Sequence, residues 1–94
     1  MSTFIMFGKY SSEALKEISA KRTEQAKEII AKFGGEIISM YALLGSIDLL
    51  MVVNMPNFDA AAKVSIALTK RTGISFSTSA AIAVDQFDQI AEEL

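Results

Sequence analysis

The sequence predicts an α+β fold of the ferredoxin-like kind, a β-α-β-β-α-β chain followed by a short helix. Three observations predict it. Segments with strand and helix periodicity alternate in that order along the chain. The two β-α-β-like halves correspond to the pseudo-symmetric halves of the fold. The first and third strands, which this fold places at the centre of its sheet, are the two with apolar residues on both faces.

Thr3–Lys9 reads as the first strand, with Phe4 and Met6 on one side and Ile5 and Phe7 on the other. Gly8 marks a bulge or a close approach. Ser11 and Ser12 are N-cap candidates for one long helix running to Phe33. Leu15, Ile18, Ala26, Ile29, Ile30 and Phe33 form its apolar stripe, with Glu17/Lys21 and Glu28/Lys32 as i,i+4 pairs on the wet side. Gly34-Gly35 stops the helix. The second strand is Glu36–Leu44, and Gly45-Ser46 turns it into the third, Ile47–Met55. Leu49 through Val53 run apolar without alternation, as a strand covered on both faces would. Pro56 ends that strand and Asn57 caps the next helix, Phe58–Thr72, whose buried candidates are Phe58, Ala61, Ala62, Val64 and Leu68. Gly73 closes it. Ile74–Val84 is the fourth strand. Asp85 then caps a short last helix carrying Phe87, Ile90, Ala91 and Leu94.

Ninety-four residues make one domain, 1–94, without linker or repeat. Such a domain buries a modest core, yet 51% of its residues are hydrophobic and its mean hydropathy is +0.35. The surplus needs cover. No apolar run approaches the ~20 residues of a spanning helix, and Met1–Phe7 lacks the basic start of a signal peptide. A cytoplasmic protein with no membrane partner is expected, and the cover is a second subunit. Two helices shield one sheet face, and a homodimer or higher homo-oligomer shields the other; the short last helix is the competing cover.

The chain has no cysteine and no histidine. That excludes a thiolate nucleophile, the commonest general base and most zinc sites, so no metal and no cofactor are expected. The net charge is −2 with the signs interspersed. No basic stripe marks a nucleic-acid surface, and Phe4 and Phe7 lie on opposite faces, where RNA recognition would need aromatics together. Gly34-Gly35 ends a helix and does not start one, so it is no phosphate loop.

The pattern Gly34-Gly35, Tyr41, Gly45, Asp48, Pro56 and Gly73 resembles the GYD domain, a small prokaryotic family related to the dimeric α+β barrel proteins. The likeness runs from the first strand to the fourth. Ile47 stands where the family has Tyr, Asn57 follows Pro56 in place of Asp, and Ser75, Ser77 and Ser79 stand where the family favours Val and two Thr. The resemblance implies a ferredoxin-like fold and an oligomer. It implies no reaction.

Five residues are candidates for binding a small molecule: Arg22, Tyr41, Asp48, Ser77 and Ser79. Asp48 opens the central third strand. It is either a base at a pocket mouth or an acid that anchors the hairpin, and without a histidine or second acid the anchor is favoured. Arg22 falls on the apolar helix face, where a guanidinium needs an acid such as Asp48 or Glu36, faces a ligand, or snorkels outward. Ser75, Ser77 and Ser79 share one strand face with Ala81 and Ala83. They either line a pocket or let a neighbour approach, and a serine row without a base is no nucleophilic site. Tyr10 and Tyr41 sit at one end of the sheet. Met6, Met40, Met51 and Met55 line the core or an adaptable cavity.

Three functions stay open: a non-enzymatic binding protein, a cofactor-independent oxygenase or isomerase like those of the dimeric α+β barrels, and a structural oligomer subunit. The absence of His and Trp favours the first over the second.

Overall fold

Short polar side chains start three of the four helices and a left-handed glycine ends one of them. The computed structural model describes residues 1–94. Its elements are β1 (Ser2–Tyr10), α1 (Ser12–Lys16), α2 (Ala20–Lys32), β2 (Glu36–Ala42), β3 (Leu49–Met55), α3 (Phe58–Thr72), β4 (Ile74–Ala81) and α4 (Val84–Glu92). Ser11 caps α1 by accepting from the Ala14 N–H, Ser19 caps α2 by accepting from Arg22 N–H, and Asn57 caps α3 by accepting from Ala60 N–H. Gly73, at φ +74°, ends α3.

The strands form one antiparallel sheet in the order β2-β3-β1-β4. This is the ferredoxin-like order, with β1 and β3 at the centre as their two apolar faces required. Alternation sends Phe4 and Met6 of β1 and Met51, Val53 and Met55 of β3 to the helix side. There they pack with Ile30 of α2 and Ala61, Val64 and Leu68 of α3. Apolar burial at about 25 cal/mol per Å² makes this cluster the main source of stability. Of Met6, Met40, Met51 and Met55, all but Met40 are fully buried, so they are chiefly core.

The predicted long helix is two helices. Ser19 is extended (φ −164°) and its hydroxyl caps α2, so α1 ends at Lys16. The break turns Leu15 and Ile18 outward, 59% and 58% exposed, and buries Ala14 instead. The predicted pairs Glu17/Lys21 and Glu28/Lys32 do not form. Glu17 lies in the break, Lys32 sits over the Phe33 ring at 5.9 Å, and the ion pairs are Lys16–Glu13 and Lys27–Glu24.

The predicted two-residue hairpin is a six-residue loop, 43–48, because β2 ends at Ala42 and β3 starts at Leu49. The Leu43 N–H donates to the Asp48 carbonyl and the Asp48 N–H to the Gly8 carbonyl, both at 2.9 Å. The loop is thereby tied to the sheet from both sides. A register shift between Ile37 and Ser39 leaves Ile38 as an exposed bulge residue.

The chain's end departs most from expectation. β4 stops at Ala81, and α4 starts at Val84 after Ala83, without a side-chain cap from Asp85. No residue of α4 is buried. The radius of gyration is 14.3 Å and the longest dimension 49 Å, against about 12 Å expected for the gyration radius of a compact chain this long. Phe58, expected in the core, is also exposed. No helix is long and apolar enough to cross a membrane.

Candidate functional site

The five candidate residues fall in two places. Tyr41, Ser77 and Ser79 share the helix-free face of the sheet. Pairing places Tyr41, Leu50, Phe7 and Ser77 in one row across the four strands, and Ser39, Val52, Ile5 and Ser79 in the next. The centre of this face is therefore apolar and half-exposed, with Ile5, Phe7, Leu50 and Val52 side by side. Hydroxyls stand at both edges. Beyond these rows, Thr3 Oγ1 donates to Asn54 Oδ1 at 2.8 Å, and Asn54 Nδ2 donates to Glu36 Oε1 at 3.4 Å. An apolar centre with a hydrogen-bonded polar rim is the anatomy of a protein interface. The serines lie on this face because their register partners on β1 are Phe7 and Ile5. Thr78, the next residue round, faces the helices and shares a 2.7 Å hydrogen bond with Ser65.

Arg22 and Asp48 lie instead at the end of the helix layer, joined through Tyr10. The Tyr10 N–H donates to Asp48 Oδ2 at 2.8 Å. The Arg22 guanidinium stacks over the Tyr10 ring, 5.2 Å from its centre, and Nη1 donates to the Ala14 carbonyl. Arg22 pairs with neither Asp48 nor Glu36. Its partners are a ring and the carbonyl of α1, so its charge has no acid against it. Asp48 is a clamp that holds the hairpin loop to the end of β1.

Beside Arg22 lies an apolar cavity of about 50 Å³ between the sheet and the helices. Met40, Leu49, Met51, Leu68 and Phe76 form its walls, and Tyr10, Arg22 and Thr72 are at its polar end. Arg22 and Thr72 also line a neighbouring recess of about 290 Å³ with no hydrophobic residue in its wall, where Lys21 and Arg71 add two further cations against the single acid Glu17. The two hollows together offer a short apolar slot that ends on positive charge. Tyr10 and Arg22 were legible in the sequence as pocket candidates. Arg71 and Thr72 were not, because their only signal was their position in the last turn of α3.

The chemistry available is limited. The Asp48 carboxylate is engaged by a backbone N–H, and Ser77 and Ser79 have no base within hydrogen-bonding distance. No group of three or more carboxylates is placed to hold a metal ion. The geometry offers an apolar cavity beside unpaired positive charge and an open sheet face, and no nucleophile–base pair.

Sheet order, helix placement and strand pairing together define a ferredoxin-like α+β domain. A crystal structure of an AsnC-family transcriptional regulator from Agrobacterium tumefaciens shares this fold with a TM-score of 0.56 at 20% identity, over 86% of this chain and 50% of that one. The present chain thus spans half the length of that regulator. No curated protein matches the sequence. The family model of the GYD domain matches residues 4–91, and the chain belongs to that family.

Proposed function

We propose that this GYD domain is a self-associating binding protein and not an enzyme. Copies pair through the helix-free sheet face, and each holds a small organic anion at Tyr10 and Arg22. The observation that carries the reading is Arg22, a half-buried cation without an acid partner, at the mouth of an apolar cavity. A guanidinium there offers a bidentate site to a carboxylate or phosphate. The slot admits only a short aliphatic or small cyclic tail, because a cavity of about 150 Å³ is needed for a benzene-sized group. Self-association is supported by the apolar centre of the open face, which a lone domain leaves in water.

Native mass spectrometry of freshly purified full-length protein tests both parts at once. The expected spectrum shows twice the chain mass, or a multiple of that, with an added mass of a small anion that Arg22→Gln removes. Bare monomers at micromolar concentration would refute the reading. Assembled chains that take up no mass from a panel of short-chain carboxylates and phosphates would refute the ligand and leave the assembly standing.

A further inference from the structure

The hydrophobic surface unused by the core lies not only on the sheet. Helix α4 presents Val84, Phe87, Ile90, Ala91 and Leu94 along one stripe. Val84 is 71% exposed, Phe87 61%, Ile90 47% and Leu94 105%. A nine-residue helix is too short to persist in water by its own hydrogen bonds. Helicity here implies a surface that takes the stripe.

One surface of the chain has the matching shape. Two hollows of about 150 and 340 Å³ run end to end between α3 and the edge strand β4 and share Ser65. Phe58, 74% exposed, stands at one end, and Ala62 and Ile66, the latter 58% exposed, follow along it toward Lys70. From Phe58 to Lys70 the groove follows about 18 Å of helix, and α4 with its stripe is about 14 Å long. The charges match as well. Residues 84–94 carry four acids (Asp85, Asp88, Glu92, Glu93) and no base, whereas the rest of the chain carries nine bases and seven acids. Helix α3 bears Lys63, Lys70 and Arg71 against one acid, Asp59, and Lys70 lines the groove. None of these charges is ion-paired within the chain.

We propose that α4 is an exchanged arm, whose apolar stripe docks into the α3–β4 groove of a second copy of this chain. The second copy is the occupant because no residue of α4 is buried, so the helix is not seated in the groove of its own chain. Reciprocal exchange closes the contact as a two-fold dimer and satisfies both grooves and both arms. The arm also covers the open edge of β4, which otherwise presents unpaired backbone groups. This contact does not involve the helix-free face and stands independently of the pairing proposed there.

The chain has no native cysteine, so a disulfide pair reads the contact directly. Ala62→Cys sits within one turn of the groove's midpoint, and Ile90→Cys is in the middle of the arm, so the pair reports docking in either direction. The two single variants are purified separately, mixed, equilibrated and oxidised. Both sites are at least partly exposed, so neither change threatens folding. The mixture is expected to give a disulfide-linked dimer at least ten-fold more abundant than either variant alone. Equal yields in mixture and single preparations would overturn the proposal, as would Ile90→Cys linking mainly to itself. A double Ala62→Cys/Ile90→Cys chain that links only within itself at low micromolar concentration would place the arm on its own groove and overturn it too. As an independent readout, Phe87→Asp/Ile90→Asp should lower the assembly mass of the full-length protein in light scattering. An unchanged mass would count against the arm.

Discussion

Alanine at Gly35 should be the most damaging small change in this chain. A Cβ there would lie 2.2 Å from Met55 Sδ, 2.9 Å from Met55 Cε and 2.7 Å from the Asn54 carbonyl oxygen. The thioether is flexible, but Met55 is fully buried among packed neighbours. The carbonyl belongs to the β3 backbone, at the residue that pairs with Glu36 of β2. Relief therefore requires the start of β2 to move off β3. Overpacking costs about 1–3 kcal/mol, and a backbone clash belongs in the upper half of that range. At about 4–8 °C per kcal/mol for a domain of this size, Gly35→Ala should lower Tm by roughly 10–20 °C. Gly34→Ala is the first comparison. Gly34 has φ +83°, where a side chain costs about 1–2 kcal/mol, so Tm should fall by roughly 5–15 °C. Gly45→Ala is the second. Nothing lies within 4 Å of a Cβ at Gly45 and its φ is not positive, so the change should stay within about 0.5 kcal/mol. Calorimetry at equal chain concentration gives the ranking, since the proposed assembly would make Tm concentration-dependent. A Gly35→Ala protein melting within about 2 °C of the parent would refute the close-approach argument, as would a Gly45→Ala protein falling as far as Gly35→Ala.

Two further substitutions test the local anchors. Asp48→Ala strands the Tyr10 N–H that donates to Asp48 Oδ2, which should cost about 1–2 kcal/mol by thermal or urea unfolding; Asp48→Asn keeps an acceptor and should recover more than half of the loss. Asn57→Ala removes the acceptor for Ala60 N–H at 2.8 Å, which should cost about 1 kcal/mol, and Asn57→Asp should restore it.

The order of elements was legible because the apolar period changes from two to about 3.6 and back along the chain, and Gly34, Pro56 and Gly73 fall between these stretches. What periodicity conveys is that a residue wants cover. It does not say which surface provides it. Leu15, Phe58, Phe87 and Ile90 carry the same signal as Val64 and Leu68, yet the first four are exposed and the last two buried. The break at Ser19 was hidden by the same effect. Leu15 and Ile18 continued the stripe of α2 in sequence, and this outweighed the local signal of a serine three residues before the N–H it caps. The face of the serine row was unreadable until β4 had a partner, because a shift of one residue in register turns every side chain over. At the site, Arg22 was recognisable as a cation on an apolar stripe. Its partners were not, because one is a backbone carbonyl, a group every residue carries. Asp48 was legible as either a ligand group or an anchor, and the partner that holds it, the Tyr10 N–H, is also backbone.

The two uncovered surfaces have a joint consequence. The helix-free face lies on one side of the sheet and the α3–β4 groove lies along its helix side and edge, so they are separate patches of the same chain. A two-fold contact on the sheet face satisfies only the first, and arm exchange satisfies only the second. Two different two-fold contacts on one chain build beyond a dimer unless one partner occupies both. The two proposals therefore separate by subtraction. Lysine at Val52, in the middle of the apolar rows, should dissolve the sheet contact and leave arm-linked pairs, whereas Phe87→Asp/Ile90→Asp should leave sheet-linked pairs. If either change alone yields monomers, both contacts belong to one dimer, whose stability needs the face and the arm together. If each leaves pairs, the protein is built from two independent contacts, and the parent's mass should be at least four chains. Either result accounts for a hydrophobic content of 51% in a chain with 11 buried hydrophobic residues.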